Sequence, residues 1–137
     1  MTPIVIDNSV FLAWCMGDED VSVATAAMRR VVEEGGFAPR IWWYELRNAL
    51  LMNERRGRIS SQQVSDTLTD SRSLGISIDD EHDESRILDL ARQFDLTVYD
   101  AAYLETASRR SLPLATLDHK LGRAARAIGV VVFRHPE

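Results

Sequence analysis

The sequence predicts an α/β fold built on a parallel sheet with helices covering both faces. Three observations carry that reading. Short apolar runs alternate along the chain with longer helical stretches, as crossover connections between parallel strands require. The first run, Pro3-Ile4-Val5-Ile6, is continuous, as in a strand buried on both faces. With 137 residues the chain has the length of one domain, residues 1–137, and no repeat or linker divides it.

The first strand stops at Asp7, and residues 9–16 form a short helix that Gly17 ends. Past the acidic turn Asp18-Glu19-Asp20, residues 21–34 are helical and close at Gly35-Gly36. Phe37-Ala38 is a brief strand, and Pro39 sets up a helix over 40–56 that Gly57 terminates. Ser60 and Gln63 make a capping box for a helix running to about Ser73. Ile76-Ser77-Ile78 alternates as a strand does, and the acidic run 79–84 leads into a helix ending near Phe94. Leu96-Thr97-Val98 is ambiguous; a helix then runs from Asp100 to about Arg110. Pro113-Leu114-Ala115-Thr116 reads as a strand, Asp118 opens a further helix, and Val130-Val131-Val132-Phe133 is the final strand.

Composition narrows the class. Hydrophobic residues at 45% and charged ones at 27% exclude a disordered or fibrous chain. A single cysteine, Cys15, excludes an intramolecular disulfide and a zinc site of several thiolates, and reads as a small core hydrophobe. The longest apolar runs fall short of a membrane helix and the N-terminus carries no secretory signal, so a cytoplasmic protein with no membrane partner is expected. Sixteen basic against twenty-one acidic residues give −5, a balance that disfavours a nucleic-acid partner unless some carboxylates are otherwise engaged. All the basic residues but Lys120 are arginine, which suits phosphate recognition, although codon usage explains the ratio more simply.

Most of the acids have ordinary explanations. The runs 18–20 and 79–84 read as solvated acids at helix N-termini. Four others stand in more telling places. Asp7 and Asp118 follow apolar strands, at the sheet edge where open α/β folds bind ligands, and Asp100 stands at a helix start. Taken singly, each of these three is best read as a helix cap. Glu45 is different: it shares a helix face with Ile41, Trp42, Ala49 and Met52, and no basic residue joins that face until Arg56. Either that face is half-buried and Glu45 reaches water, or something compensates its charge. Four carboxylates without a thiolate or imidazole set make hard oxygen ligands, suited to Mg²⁺ or Mn²⁺.

Taken together, four segments resemble the motifs of PIN-domain ribonucleases, specifically VapC-type toxins of toxin–antitoxin pairs. These are Val5-Ile6-Asp7-Asn8-Ser9, Trp43-Tyr44-Glu45-Leu46-Arg47-Asn48, Val98-Tyr99-Asp100-Ala101-Ala102-Tyr103-Leu104 and Leu114-Ala115-Thr116-Leu117-Asp118. The resemblance spans essentially the whole chain. It implies a three-layer α/β/α sandwich and a metal-dependent endoribonuclease acting on transfer or ribosomal RNA. It also implies a VapB-type antitoxin and a homodimer. Asp7, Glu45, Asp100 and Asp118 match the acidic quartet, with Asp7 and Asp100 the leading ligands for Mg²⁺ or Mn²⁺. Ser9, Thr116 and Asn48 match supporting polar positions, and Asn8 departs from the small residue or Thr of many relatives.

Other readings compete. A haloacid-dehalogenase-type phosphotransferase needs an acid two residues after Asp7, where Ser9 stands. A response-regulator receiver needs paired acids at the first strand, where Asn8 follows Asp7. Both leave Glu45 unexplained. A catalytically silent PIN-fold binding module remains as the alternative. Arg47, Arg55, Arg56 and Arg58 suit RNA phosphates; the last three equally suit a helix C-terminus, which is preferred, and the pair Arg109-Arg110 has the same two readings. Trp14, Trp42 and Trp43 read as core or interface residues, and His119 as a surface histidine.

Overall fold

The computed structural model describes residues 2–17 and 22–134. The acidic turn 18–20 lies outside the described residues. In chain order the elements are β1 (Ile4–Ile6), α1 (Asn8–Met16), α2 (Ser22–Glu34), β2 (Gly36–Pro39), α3 (Ile41–Arg55) and α4 (Ser61–Arg72). There follow β3 (Ile76–Asp79), α5 (Glu84–Phe94), α6 (Val98–Arg110), β4 (Leu114–Ala115) and α7 (His119–Ala127).

The four strands form one parallel sheet in the order β3-β2-β1-β4, with Ile4 opposite Gly36, Val5 opposite Leu114 and Ile6 opposite Ala115. Going from β1 to β2 to β3 the chain steps one way across the sheet, and from β3 to β4 it steps back. Right-handed crossovers therefore place α1 to α4 on one face and α5 with α6 on the other. The packing agrees: α1 meets α2 and α3, α3 meets α4, and α6 meets α5 and α7. The result is the three-layer α/β/α sandwich expected from the sequence.

All of β1 is buried, which accounts for its unbroken apolar run. Phe11 of α1 packs edge-on against Trp42 of α3, while Trp14 and Trp43 keep more than a third of their surface. Cys15 is half-buried among apolar neighbours, and desolvation pushes its thiol up to about 12. No helix among the described residues is long and apolar enough to cross a membrane.

Three expectations need correction. Residues 130–133 are not a strand: Val132 makes a single bridge to Leu114, because β4 is only two residues long and offers no further ladder. The helix placed at Asp100 starts at Val98, since the hydroxyl of Thr97 accepts the Asp100 N–H at 3.0 Å and caps it. Asp100 is therefore not a cap. Asp79 is not a solvated acid either, being 2% exposed at the end of β3. Its carboxylate accepts from Arg109 Nη1 and Nη2 at 3.1 and 3.0 Å and from Arg110 Nε. Arg109 Nε also donates to the buried Glu105 at 2.6 Å, so the Arg109-Arg110 pair serves the interior rather than solvent.

Burial pushes the Asp79 carboxyl up, but the bonds from Arg109 and Arg110 outweigh it and hold the group below its usual value. A depressed carboxyl contributes stability above its unfolded pKa and loses it as pH falls through the folded value. Asp79→Asn should therefore cost roughly 1–3 kcal/mol in urea unfolding at pH 7, the arginines being partly exposed. That difference should shrink below about pH 4. A gap independent of pH would mean that Asp79 acts by shape and not by charge.

Candidate active site

Because the strand order reverses around β1, the carboxyl ends of β1 and β4 lie side by side at a topological switch point, where such sheets bind ligands. Asp7 is the residue after β1. Its Oδ1 accepts from Ser9 Oγ at 2.6 Å and from the Val10 N–H at 3.1 Å, and its Oδ2 accepts from Thr116 Oγ1. The cap expected at Asp7 is present, so one side chain both starts α1 and faces the sheet edge. Thr116 in turn accepts the Asp118 N–H at 3.0 Å, and Ser9 accepts the Leu117 N–H at 3.0 Å, which ties the β1–α1 and β4–α7 turns together.

Asp118 caps α7, its Oδ1 accepting from the N–H groups of Lys120 and Leu121 at 2.8 and 3.2 Å. Glu45 comes from α3 on one face of the sheet and Tyr103 from α6 on the other. The Tyr103 hydroxyl donates to Glu45 Oε1 at 2.6 Å, so this bond bridges the two helical layers. Asp100, one helical turn before Tyr103, projects from the same side of α6.

Asp7, Glu45, Asp100 and Asp118 line one cavity of about 290 Å³, together with Asn8, Ser9 and Tyr103. Desolvation raises the Asp7 carboxyl to about 6 despite its three donors, with the charge of Asp100 adding to the rise. Burial is also the main cause of the rise at Glu45, eased by the Tyr103 bond and increased by the charge of Asp100. Asp100 is raised by burial and then by Asp118, with Thr97 and Lys120 acting against it. None of the four takes part in an ion pair among the described residues. Lys120, whose charge acts on Asp100, pairs with Asp95.

The sequence-derived set is thus brought together with one exception. Asn48 is exposed and does not line the cavity. Two residues were not anticipated. Tyr103 stands three positions after Asp100, a helical spacing that puts both on one face and could have flagged it. Asn8 lines the cavity with its Oδ1 buried and unpartnered, for which the sequence carries no signal.

Carboxylates raised by burial and further by one another, beside an orphaned amide oxygen, are the chemistry of a cation site. No three His, Cys, Asp or Glu side chains among the described residues stand close enough to chelate an ion alone. The arrangement fits a hydrated ion such as Mg²⁺, which takes one or two carboxylates and keeps several waters.

The profile of the PIN domain family matches residues 4–127. Among solved structures, PAE2754 from Pyrobaculum aerophilum is similar at a TM-score of 0.69 and 20% identity, over 96% of this chain and 90% of that one. FitAcB from Neisseria gonorrhoeae is similar at a TM-score of 0.61 and 19% identity, over 96% of each chain. At these identities the likeness shows the fold. No curated protein matches the chain.

An acid raised on folding makes its ionised form a liability, so stability is highest at low pH and falls as pH rises through the folded value. Asn at position 7 can keep the acceptor for Ser9 and Val10 without the charge. Asp7→Asn should therefore stabilise the metal-free protein by roughly 1–3 kcal/mol at pH 7. In denaturant titrations the advantage should fade between about pH 6 and 4. A destabilised Asp7→Asn at pH 7 would show that Asp7 is held mainly as a cap.

Proposed function

The chain belongs to the PIN domain family, whose members are generally metal-dependent nucleases, and on that premise we propose that it is an endoribonuclease toxin of the VapC type. The observation that carries this reading is the convergence on one cavity at the carboxyl edge of the sheet of four carboxylates, none in an ion pair among the described residues. A structural role explains Asp79 and Glu105, which meet arginines; it does not explain Asp7, Glu45 and Asp100, none of which forms an ion pair among the described residues.

Asp7 and Asp100 would hold a Mg²⁺ or Mn²⁺ ion, with Glu45 and Asp118 completing the acidic set. When bound, such an ion supplies a more acidic water and neutralises charge on the phosphodiester. The chain's own residues supply orientation. Ser9 and Thr116 fix both oxygens of Asp7. Tyr103 fixes one oxygen of Glu45 and leaves the other for a water or a ligand. Asp118 keeps its Oδ1 on the α7 amides, so Oδ2 is the atom left to face the cavity.

On this reading the substrate is RNA, of the transfer or ribosomal class, a VapB-type antitoxin neutralises the activity, and the working unit is a homodimer. The family resemblance supports those three assignments.

Total cellular RNA incubated with antitoxin-free protein should yield discrete fragments in Mg²⁺ or Mn²⁺ and none with a chelator. Asp7→Asn and Asp100→Asn, each checked for folding by circular dichroism, should lower cleavage by at least about 100-fold. Thr116→Val, which loosens Asp7 without removing a carboxylate, should cost roughly 10–100-fold. Cleavage that persists in chelator or in both Asp variants would remove the mechanism. A wild type silent in either metal would leave a PIN-fold binding module.

A further inference from the structure

A second groove, of about 420 Å³, opens beside the carboxylate cavity and shares Asp118 with it. Its walls come from the β4–α7 turn, from α7 and from the segment after α7. They carry Thr116, His119, Arg126 and Arg134, and among the described residues that line it Asp118 is the one carboxylate. The Arg126 guanidinium lies back along its helix over Gly122. Its Nη1 is 3.8 Å, and Thr116 Cγ2 is 3.9 Å, from the point a Gly122 Cβ would occupy. Arg126 therefore reaches toward Thr116, whose hydroxyl holds Asp7.

The placement of its cations sets this groove apart: two arginines line it beside the carboxylate cavity. Arg40, Arg92, Arg109 and Arg110 each meet a carboxylate. Arg126 and Arg134 make no ion pair and no side-chain hydrogen bond among the described residues. A cation in the last turn of α7 does gain from the helix dipole. That gain needs no groove, and it explains neither Arg134 nor the imidazole of His119 at the other end of the helix.

We infer that this groove is the phosphate track of the nuclease, binding the RNA backbone beside the scissile bond through Arg126 and Arg134. The inference rests on the nuclease reading for the identity of its ligand. The physical need is plain: a chain of net charge −5 that gathers four carboxylates at one edge repels a polyanion, and unpaired guanidinium groups next to that edge offset the repulsion. A guanidinium suits the task because its planar fork matches two phosphate oxygens.

The test is fluorescence anisotropy of a labelled, mixed-sequence single-stranded RNA with the full chain across a salt series. Calcium replaces magnesium so that the carboxylates are neutralised, and the RNA is checked for integrity afterwards. Two phosphate contacts at about 0.7 each on a single strand predict a slope of log affinity against log salt shallower by about 1.4 in Arg126→Gln/Arg134→Gln. Arg86→Gln, which removes one positive charge on α5 outside the groove, should leave the slope unchanged. A wild-type slope in the double variant overturns the track. So does a per-charge shift equal to that of Arg86→Gln, or a wild type without affinity for RNA. Cleavage is scored separately in Mg²⁺: a nuclease whose RNA affinity ignores Arg126 and Arg134 keeps its function and loses this groove. RNA affinity that depends on them without cleavage keeps the groove and removes the nuclease.

Discussion

The structure depends first on the burial of one carboxylate at the seam between β1 and β4. Asp7 takes its backbone N–H to Ala115 at 3.1 Å, gives its carbonyl to the Phe11 N–H at 3.3 Å, and accepts three side-chain or amide donors on its carboxylate. Through those bonds it closes the central strand pair, starts α1 and fixes the β4–α7 turn. Three donors would ordinarily depress a carboxyl; here desolvation wins and the group is raised to about 6. A neutral residue would serve the fold at lower cost. The charge is kept where it is uncomfortable, which is the arrangement a cation would relieve.

The same chain shows how a carboxylate looks when stability alone is at stake. Asp79 and Glu105 are more deeply buried than Asp7, yet both meet arginine from α6, and Asp79 is held low instead of high. The two clusters share residue types and differ in partners. Hydroxyls orient a carboxylate and leave its charge in place, whereas guanidinium groups orient and neutralise it. That difference separates the acidic edge from the structural clamp, and neither burial nor hydrogen-bond count does so.

Topology supplies the rest. With β1 central and β4 on the opposite side from β2, the two crossover layers end above the same strand tips. Glu45 from one layer and Tyr103 from the other can then share a hydrogen bond, and the Asp118 turn lies between the acidic cavity and the cationic groove. An acidic centre with a basic flank is a local separation of charge that the net value of −5 conceals.

Much of this was legible in the sequence because it is local. Apolar runs and helical stretches placed the sheet and helices, the capping box at Ser60 formed as written, and Asp7 and Asp118 stood after strands where capping and site geometry coincide. The misreadings were partly local and partly long-range. Thr97 displaced Asp100 as a cap within a single turn, but the strand expected over 130–133 failed because its neighbour is two residues long. Asp79 looked solvated because its arginines lie 30 and 31 positions away. Alone, then, the sequence determined the order of the elements and the turns that carry the acids, since those follow from periodicity and from short-range capping. Only the tertiary structure decided which acids find a cation and which find only a hydroxyl. Glu45 and Tyr103 are 58 residues apart, and Asp7 and Thr116 are 109. Spacings of that length become contacts only when the sheet brings its carboxyl ends together.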